Sequence, residues 1–302
     1  MVPREWCVGR PRSGRSAVVF RGGPQMIRTA NPALRGFENP QRWDDLASGD
    51  GRTLDAPARV MTINGTVTAT AILVGLCIST AVVAWTPLSG MANNGNFGGL
   101  IGISIGAALV GLLVFLGMSF VHKLSPFLAP VYAILQGVYV SGFSIFIAAR
   151  WLGPSESGAA VNPEATGMIF QAVLLTFGVL AGLLMAYATG LVRIGGMMAK
   201  IMMCALGAVL LYMLALIVGN GFFNLGLPNL YADSSPLGIG FSLLLVGLAS
   251  LFLILDFQFI EAGAQQRLPK YMEWYAGAGL LVTLVWLYIE ILRLLAKLRG
   301  GD

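Results

Sequence analysis

The chain has 302 residues, of which 56% are hydrophobic and only 11% charged, with a mean hydropathy of +0.77. A water-soluble domain carries about 25% charged residues, so composition excludes a soluble globular enzyme as the bulk of this chain. The net charge of +5 does not indicate a nucleic-acid binder, because the basic residues are not interleaved with aromatics in a polar domain. They gather instead in a tail and between apolar runs, as in a membrane protein.

Residues 1–59 hold ten of the 19 Lys and Arg residues, with repeated Gly and Pro and the acidic run "WDDLASGD" at 43–50. They lack an uninterrupted apolar stretch, so they read as a largely disordered cytoplasmic tail rather than a signal peptide. Met26 opens "MIRTANPALRGFENPQRW" and is the better start of the two methionines. The second domain, 60–302, is a series of apolar stretches.

No charged residue occurs from Val60 to Val121, and the turn signals at 86–99 split this stretch into two helices. Leu124–Ala149 is a third, Ala165–Val192 a fourth, Ile201–Ala232 a fifth and Ser234–Leu255 a sixth. A seventh begins at Trp274 and carries on through Glu290. A bilayer is crossed by about 20 apolar residues. Its interior offers the backbone no partner but itself, so these are helices. The fold class is therefore an all-α integral membrane protein, a seven-transmembrane-helix bundle. The tail, Lys123, Arg193, Lys200, Arg267 and Lys270 put fifteen basic residues on one side, against Arg150, Arg293, Lys297 and Arg299 on the other. The positive-inside rule then makes the N-terminus cytoplasmic. Small residues at four-residue spacing, Gly98, Gly102 and Gly106 and then Gly178 and Gly182, suit close helix packing.

Two carboxylates lie within the spans. Asp256 follows 22 uncharged residues, and Glu290 follows 16. An intramembrane charge costs a few kcal/mol, so each needs a partner, a wet cavity or the bundle interior. Two arrangements satisfy them. In one, Glu290 pairs with Arg293 a turn away while Asp256 bonds to Tyr or Gln neighbours. In the other, Asp256 and Glu290 converge. A plain hairpin turning near Leu268 and Pro269 separates the two acids by roughly 15 Å of depth, so convergence requires a break, for which "AGAG" at 276–279 is a candidate. Tyr132, Gln136, Tyr139, Gln171 and Tyr212 are the polar residues available to line a path. His122, beside Lys123 at a helix end, reads as interfacial, and Cys77 and Cys204 read as packing residues. No P-loop, HExxH, CxxC or EF-hand loop is present. Neither a metal site nor a cofactor is expected, and the chain does not read as an enzyme.

"LILDFQFIE" at the end of the sixth span and "LYIEILRLL" in the last resemble the Bax inhibitor-1 family. "ANPALRGFEN" and "KYMEWYAGAGLLVTLVWLYIEILRLLAKLRG" are similar to its bacterial, YccA-like branch, and "VYAILQGVYVSGFSI" is the best match among the earlier helices. The resemblance covers about residues 30–300. It implies a bundle with the last helix central, in a bacterial cytoplasmic membrane. It also implies that Asp256 and Glu290 share a proton and gate a calcium leak with pH, with Arg293 or Lys123 as charge partner. The family's calcium-leak members commonly carry Asp where this chain has Glu290. Some bacterial members bind a membrane-bound AAA protease, which makes an interaction protein the alternative. The expected partners are thus membrane lipid, Ca²⁺ as permeant ion, and a protease on the alternative reading.

Overall fold

A computed structural model of the chain describes residues 60–151, 163–221 and 223–300. The arginine-rich tail expected over 1–59 lies outside them. Among the described residues, seven helices are long and apolar enough to cross a membrane. They are α1 (Ile63–Asn93), α2 (Phe97–Phe120), α3 (Ser125–Trp151), α4 (Pro163–Ala188), α5 (Gly196–Gly221), α6 (Pro236–Gln265) and α7 (Met272–Arg299). A single 3-10 turn, His122–Leu124, joins α2 to α3. The bundle has an N face, where α1 begins, and a C face, where α7 ends.

The spans stand where the apolar runs put them, but their ends differ. α1 runs through Pro87 to Asn93, well into the turn expected over 86–99. The break comes at Asn94–Asn96: Gly95 takes a φ of 72°, and the Asn96 side chain accepts a hydrogen bond from Gly99 N to start α2. α6 does not stop at Leu255. It continues to Gln265, so Asp256 lies within a helix. α5 ends at Gly221, and an irregular connector then leads to Ser235, which caps α6 through its hydroxyl.

α7 packs against α1, α3, α4 and α6, and α2 lies outside α3. α3 and α7 are the least apolar of the seven spans and the most buried. Lipid is the solvent here, so the more polar helices are the ones that move inside. The close approaches are made by glycines other than the two expected stripes. A Cβ on Gly137 would meet Cys77 O and Thr80 of α1, and one on Gly277 would meet Thr70. "AGAG" is thus the crossing point of α1 over an unbroken α7. Gly98, Gly102, Gly106, Gly178 and Gly182 instead face open space. Cys77 is buried as expected, whereas Cys204 is exposed on α5.

Candidate functional site

The unbroken α7 keeps the two acids in different settings. Asp256 on α6 lies beside Thr283 of α7, whose hydroxyl donates to Gly279 O at 3.4 Å, and the Asp256 Oδ2 is buried with no partner among the described residues. Thr283 precedes Glu290 by seven residues of the same helix, about 10 Å of rise. No hydrogen bond or ion pair joins Asp256 to Glu290 among the described residues. Glu290 turns to its own helix: Arg293 Nη1 donates to Oε2 at 2.7 Å, and Trp286 Nε1 donates to Oε1 at 3.2 Å. Glu290 is 3% exposed and Arg293 9%, so the pair is withdrawn from bulk solvent.

Arg293 also stacks on the connector between α5 and α6, with Cζ 4.5 Å from the centre of the Tyr231 ring. Burial, and then the nearby Glu290, push the Tyr231 phenol up to about 12, so it stays protonated at neutral pH. One turn beyond Arg293, the fully enclosed Lys297 Nζ donates to Leu230 O at 2.6 Å and Gly238 O at 2.9 Å. Glu290, Arg293 and Lys297 follow i, i+3, i+7 spacing and form one stripe of α7. That spacing was visible in the sequence, but the carbonyls that satisfy Lys297 come from the connector and the first turn of α6 and were not.

Glu290 and Arg293 open onto a cavity of about 740 Å³ between α3, α5, α7 and the connector. Tyr132, Gln136 and Tyr139 line its α3 wall, and Arg150 and Trp151 stand at the C face. From Tyr132 to Trp151 is roughly 28 Å of helix, most of a bilayer's depth. The Gln136 amide donates to the Tyr132 hydroxyl at 2.7 Å, and its Oε1 is buried without a partner among the described residues. The lining sets one carboxylate, Glu290, beside two guanidinium groups, Arg150 and Arg293, in an otherwise largely apolar wall.

Three residues considered for this site are elsewhere. Gln171 on α4 accepts from Arg299 at 2.7 Å. The Tyr212 hydroxyl donates to Pro228 O at 2.7 Å and accepts from Leu230 N at 3.0 Å, holding the connector from behind. Lys123 is exposed at the N face, beside His122, whose ring meets Tyr275 edge-on. "GISIG" at 102–106 has the spacing of a nucleophile elbow, but Ser104 lies inside α2 and donates to Leu100 O at 2.7 Å. The strand-to-helix turn that the motif needs is absent there. No group of three or more His, Cys, Asp or Glu that could hold a metal gathers among the described residues.

The sequence matches a family model described as Bax inhibitor 1 like over residues 20–300. No curated protein and no solved structure matches the chain.

Proposed function

The chain belongs to the Bax inhibitor 1-like family of membrane proteins, and from that premise we propose that it forms a pH-sensitive cation pathway along α7, with Ca²⁺ as the permeant ion. One observation carries the reading: Glu290, a carboxylate inside a membrane span, lines a cavity that extends to Arg150 and Trp151 at the C-face end of α3. Ionisable groups are kept in a bilayer at a cost and mark ion or proton routes. In the ion-paired arrangement, Arg293 neutralises Glu290. A divalent cation entering past Arg150 and Trp151 competes for that carboxylate, and the guanidinium then rests on the Tyr231 ring. Asp256 supplies a second carboxylate nearer the N face. The two acids act in series as gates rather than as one contact pair. Protonating either removes the negative charge that draws the cation, so flux falls as pH falls.

The fifteen basic residues of the tail and the N face favour a cytoplasmic N-terminus in a bacterial cytoplasmic membrane. A cysteine at Asn94, in a chain without its native cysteines, then labels from outside intact cells; labelling only after permeabilisation inverts the orientation.

The function is tested by calcium flux into proteoliposomes at several pH values, wild type beside Asp256→Asn and Glu290→Gln. Wild-type flux is expected to decline toward acid pH. Each variant is expected to lower flux at pH 8 part of the way to the wild-type acid level and to leave a shallower profile, and the double variant to reach that level with a flat one. Unchanged flux and profile in both variants would sink the pathway. The alternative is modulation of a membrane-bound AAA protease, which loses function when residues 30–58 are deleted.

A further inference from the structure

We propose that a second cleft, on the face of α7 next to the Glu290 cavity, is a phospholipid site that takes one acyl chain from the leaflet at the C face. The cleft holds about 540 Å³ between α1 and α4, with α3 and α7 behind it. Leu281, Val285 and Tyr288 form its floor, and Val285 also lines the Glu290 cavity.

The shape identifies the occupant. Elsewhere the apolar surface is the outer side of helices, which lipid coats in passing. Here four helices enclose a slot that their own side chains leave unfilled. An unfilled apolar slot forfeits the dispersion contacts of its lining, and apolar cavities take up hydrocarbon rather than water. The slot opens toward the bilayer past Ile78, Val82 and Phe170, which are 46%, 68% and 62% exposed.

Its length and polarity choose the leaflet. Along α1 the lining runs from Val74 to Thr86, about 18 Å of helix, and along α4 from Phe177 to Thr166, about 16 Å. Either length is about half of a hydrocarbon core roughly 30 Å thick. The end near mid-bilayer is formed by Val74, Phe177 and Leu281 with Thr176, whose hydroxyl is turned to Ala172 O of its own helix. The other end, at the C face, carries Trp85, Thr86 and Thr166, an amphipathic ring and two hydroxyls at headgroup level. The floor stripe of α7 continues at helical spacing to Arg299, five turns beyond Leu281. There the guanidinium is exposed and donates to Gln171 of α4. A slot half a bilayer deep that is apolar below and carries hydroxyls and an indole at headgroup level fits one acyl chain and the ester region of a phospholipid.

The test is native mass spectrometry of the full chain released from mild detergent. Wild type is expected to retain one phospholipid per chain. Ala81→Trp and Val173→Trp, which fill the cleft, are expected to lose it, whereas Leu211→Trp on the exposed face of α5 retains it. A second measurement needs no variant: the melting temperature of delipidated wild type, titrated with phosphatidylglycerol, should rise and saturate near one lipid per chain. Equal retention in the filled variants, a titration without saturation, or a dimer of the chain that Ala81→Trp abolishes would each overturn the site.

Discussion

Glu273, at the start of α7, completes the cap of α1 at Thr62, 211 residues away in sequence. The Thr62 hydroxyl accepts from Gly65 N at 3.0 Å, as an N-cap does. In a capping box, the residue at the position of Gly65 would be a Glu reaching back to the cap's own N–H. Here that position has no side chain, and Glu273 Oε1 fills the role, accepting from Thr62 N at 3.0 Å and from its hydroxyl at 3.1 Å. A Cβ on Gly65 would run into the Glu273 carboxyl.

Glu273→Ala is therefore expected to cost about 0.5–2 kcal/mol, because it removes the carboxylate that completes the cap. Gly65→Ala is expected to destabilise by displacing the same carboxyl. The double variant should fall short of the sum, since both changes break one contact. Melting temperatures of the four proteins in detergent check this, and strict additivity would refute the shared cap.

The acid partner of the Thr62 cap was not legible, because nothing local links residue 273 to residue 62. The same division holds across the bundle. The spans were legible because lipid demands long uncharged runs. Helix ends were less so: the turn signals at 86–99 and the end of the uncharged run at Leu255 marked the expected bounds, yet α1 continues to Asn93 and α6 to Gln265. In lipid an unmade backbone hydrogen bond is costlier than a kink or a buried acid with a hydroxyl neighbour. The cavity residues Tyr132, Gln136 and Tyr139 could be named from their polarity alone. Gln171 and Tyr212 have the same polarity, but their faces of α4 and α5 point to Arg299 and to the connector.

The connector at the C face depends on Lys297. Its ammonium holds carbonyls on both sides of the 231–237 segment, and the aliphatic stem is fully enclosed. Lys297→Met keeps the bulk and removes the charge-assisted bonds, worth about 1.5–3 kcal/mol each. The connector should then open more often, and limited proteolysis within residues 223–235 should accelerate by about tenfold or more, tenfold being the equivalent of about 1.4 kcal/mol. An unchanged cleavage rate would mean that Tyr212 and Arg293 hold the segment without Lys297.

Asp233 gives the connector a pH dependence of its own. Its carboxylate accepts from Ser235 Oγ at 2.5 Å and from Ser235 N at 3.1 Å, and these bonds hold its pKa below the ordinary value of 3.8. A carboxyl with a lowered folded-state pKa contributes stability above its unfolded value and loses it as pH falls through the folded one. The stability difference between wild type and Asp233→Asn should thus be constant from neutral pH down to about 4 and should vanish below that. Thermal melts of both proteins from pH 7 to pH 3 measure it. A difference that grows on acidification would have the wrong sign.

The two intramembrane acids make the sharpest comparison. In contact, Asp256 and Glu290 would act as one titrating unit, and neutralising the second would change little once the first was gone. The geometry gives each its own neighbours, Thr283 for Asp256 and Arg293 with Trp286 for Glu290, separated by two turns of α7. At such spacing, with no shared partner, free-energy effects add within about 0.5 kcal/mol. The prediction concerns the logarithm of calcium flux at pH 8: the loss in Asp256→Asn/Glu290→Gln should equal the sum of the single losses. Stability provides the control. Glu290→Gln leaves Arg293 buried without its counter-ion and should cost about 3–5 kcal/mol, whereas Asp256→Asn offers Thr283 an equivalent acceptor and should cost far less. Additive flux losses with unequal stability losses fit two gates in series. A double variant no worse than either single variant would mean that the carboxylates meet in the conducting state, through a movement of α6 along α7 of about 10 Å.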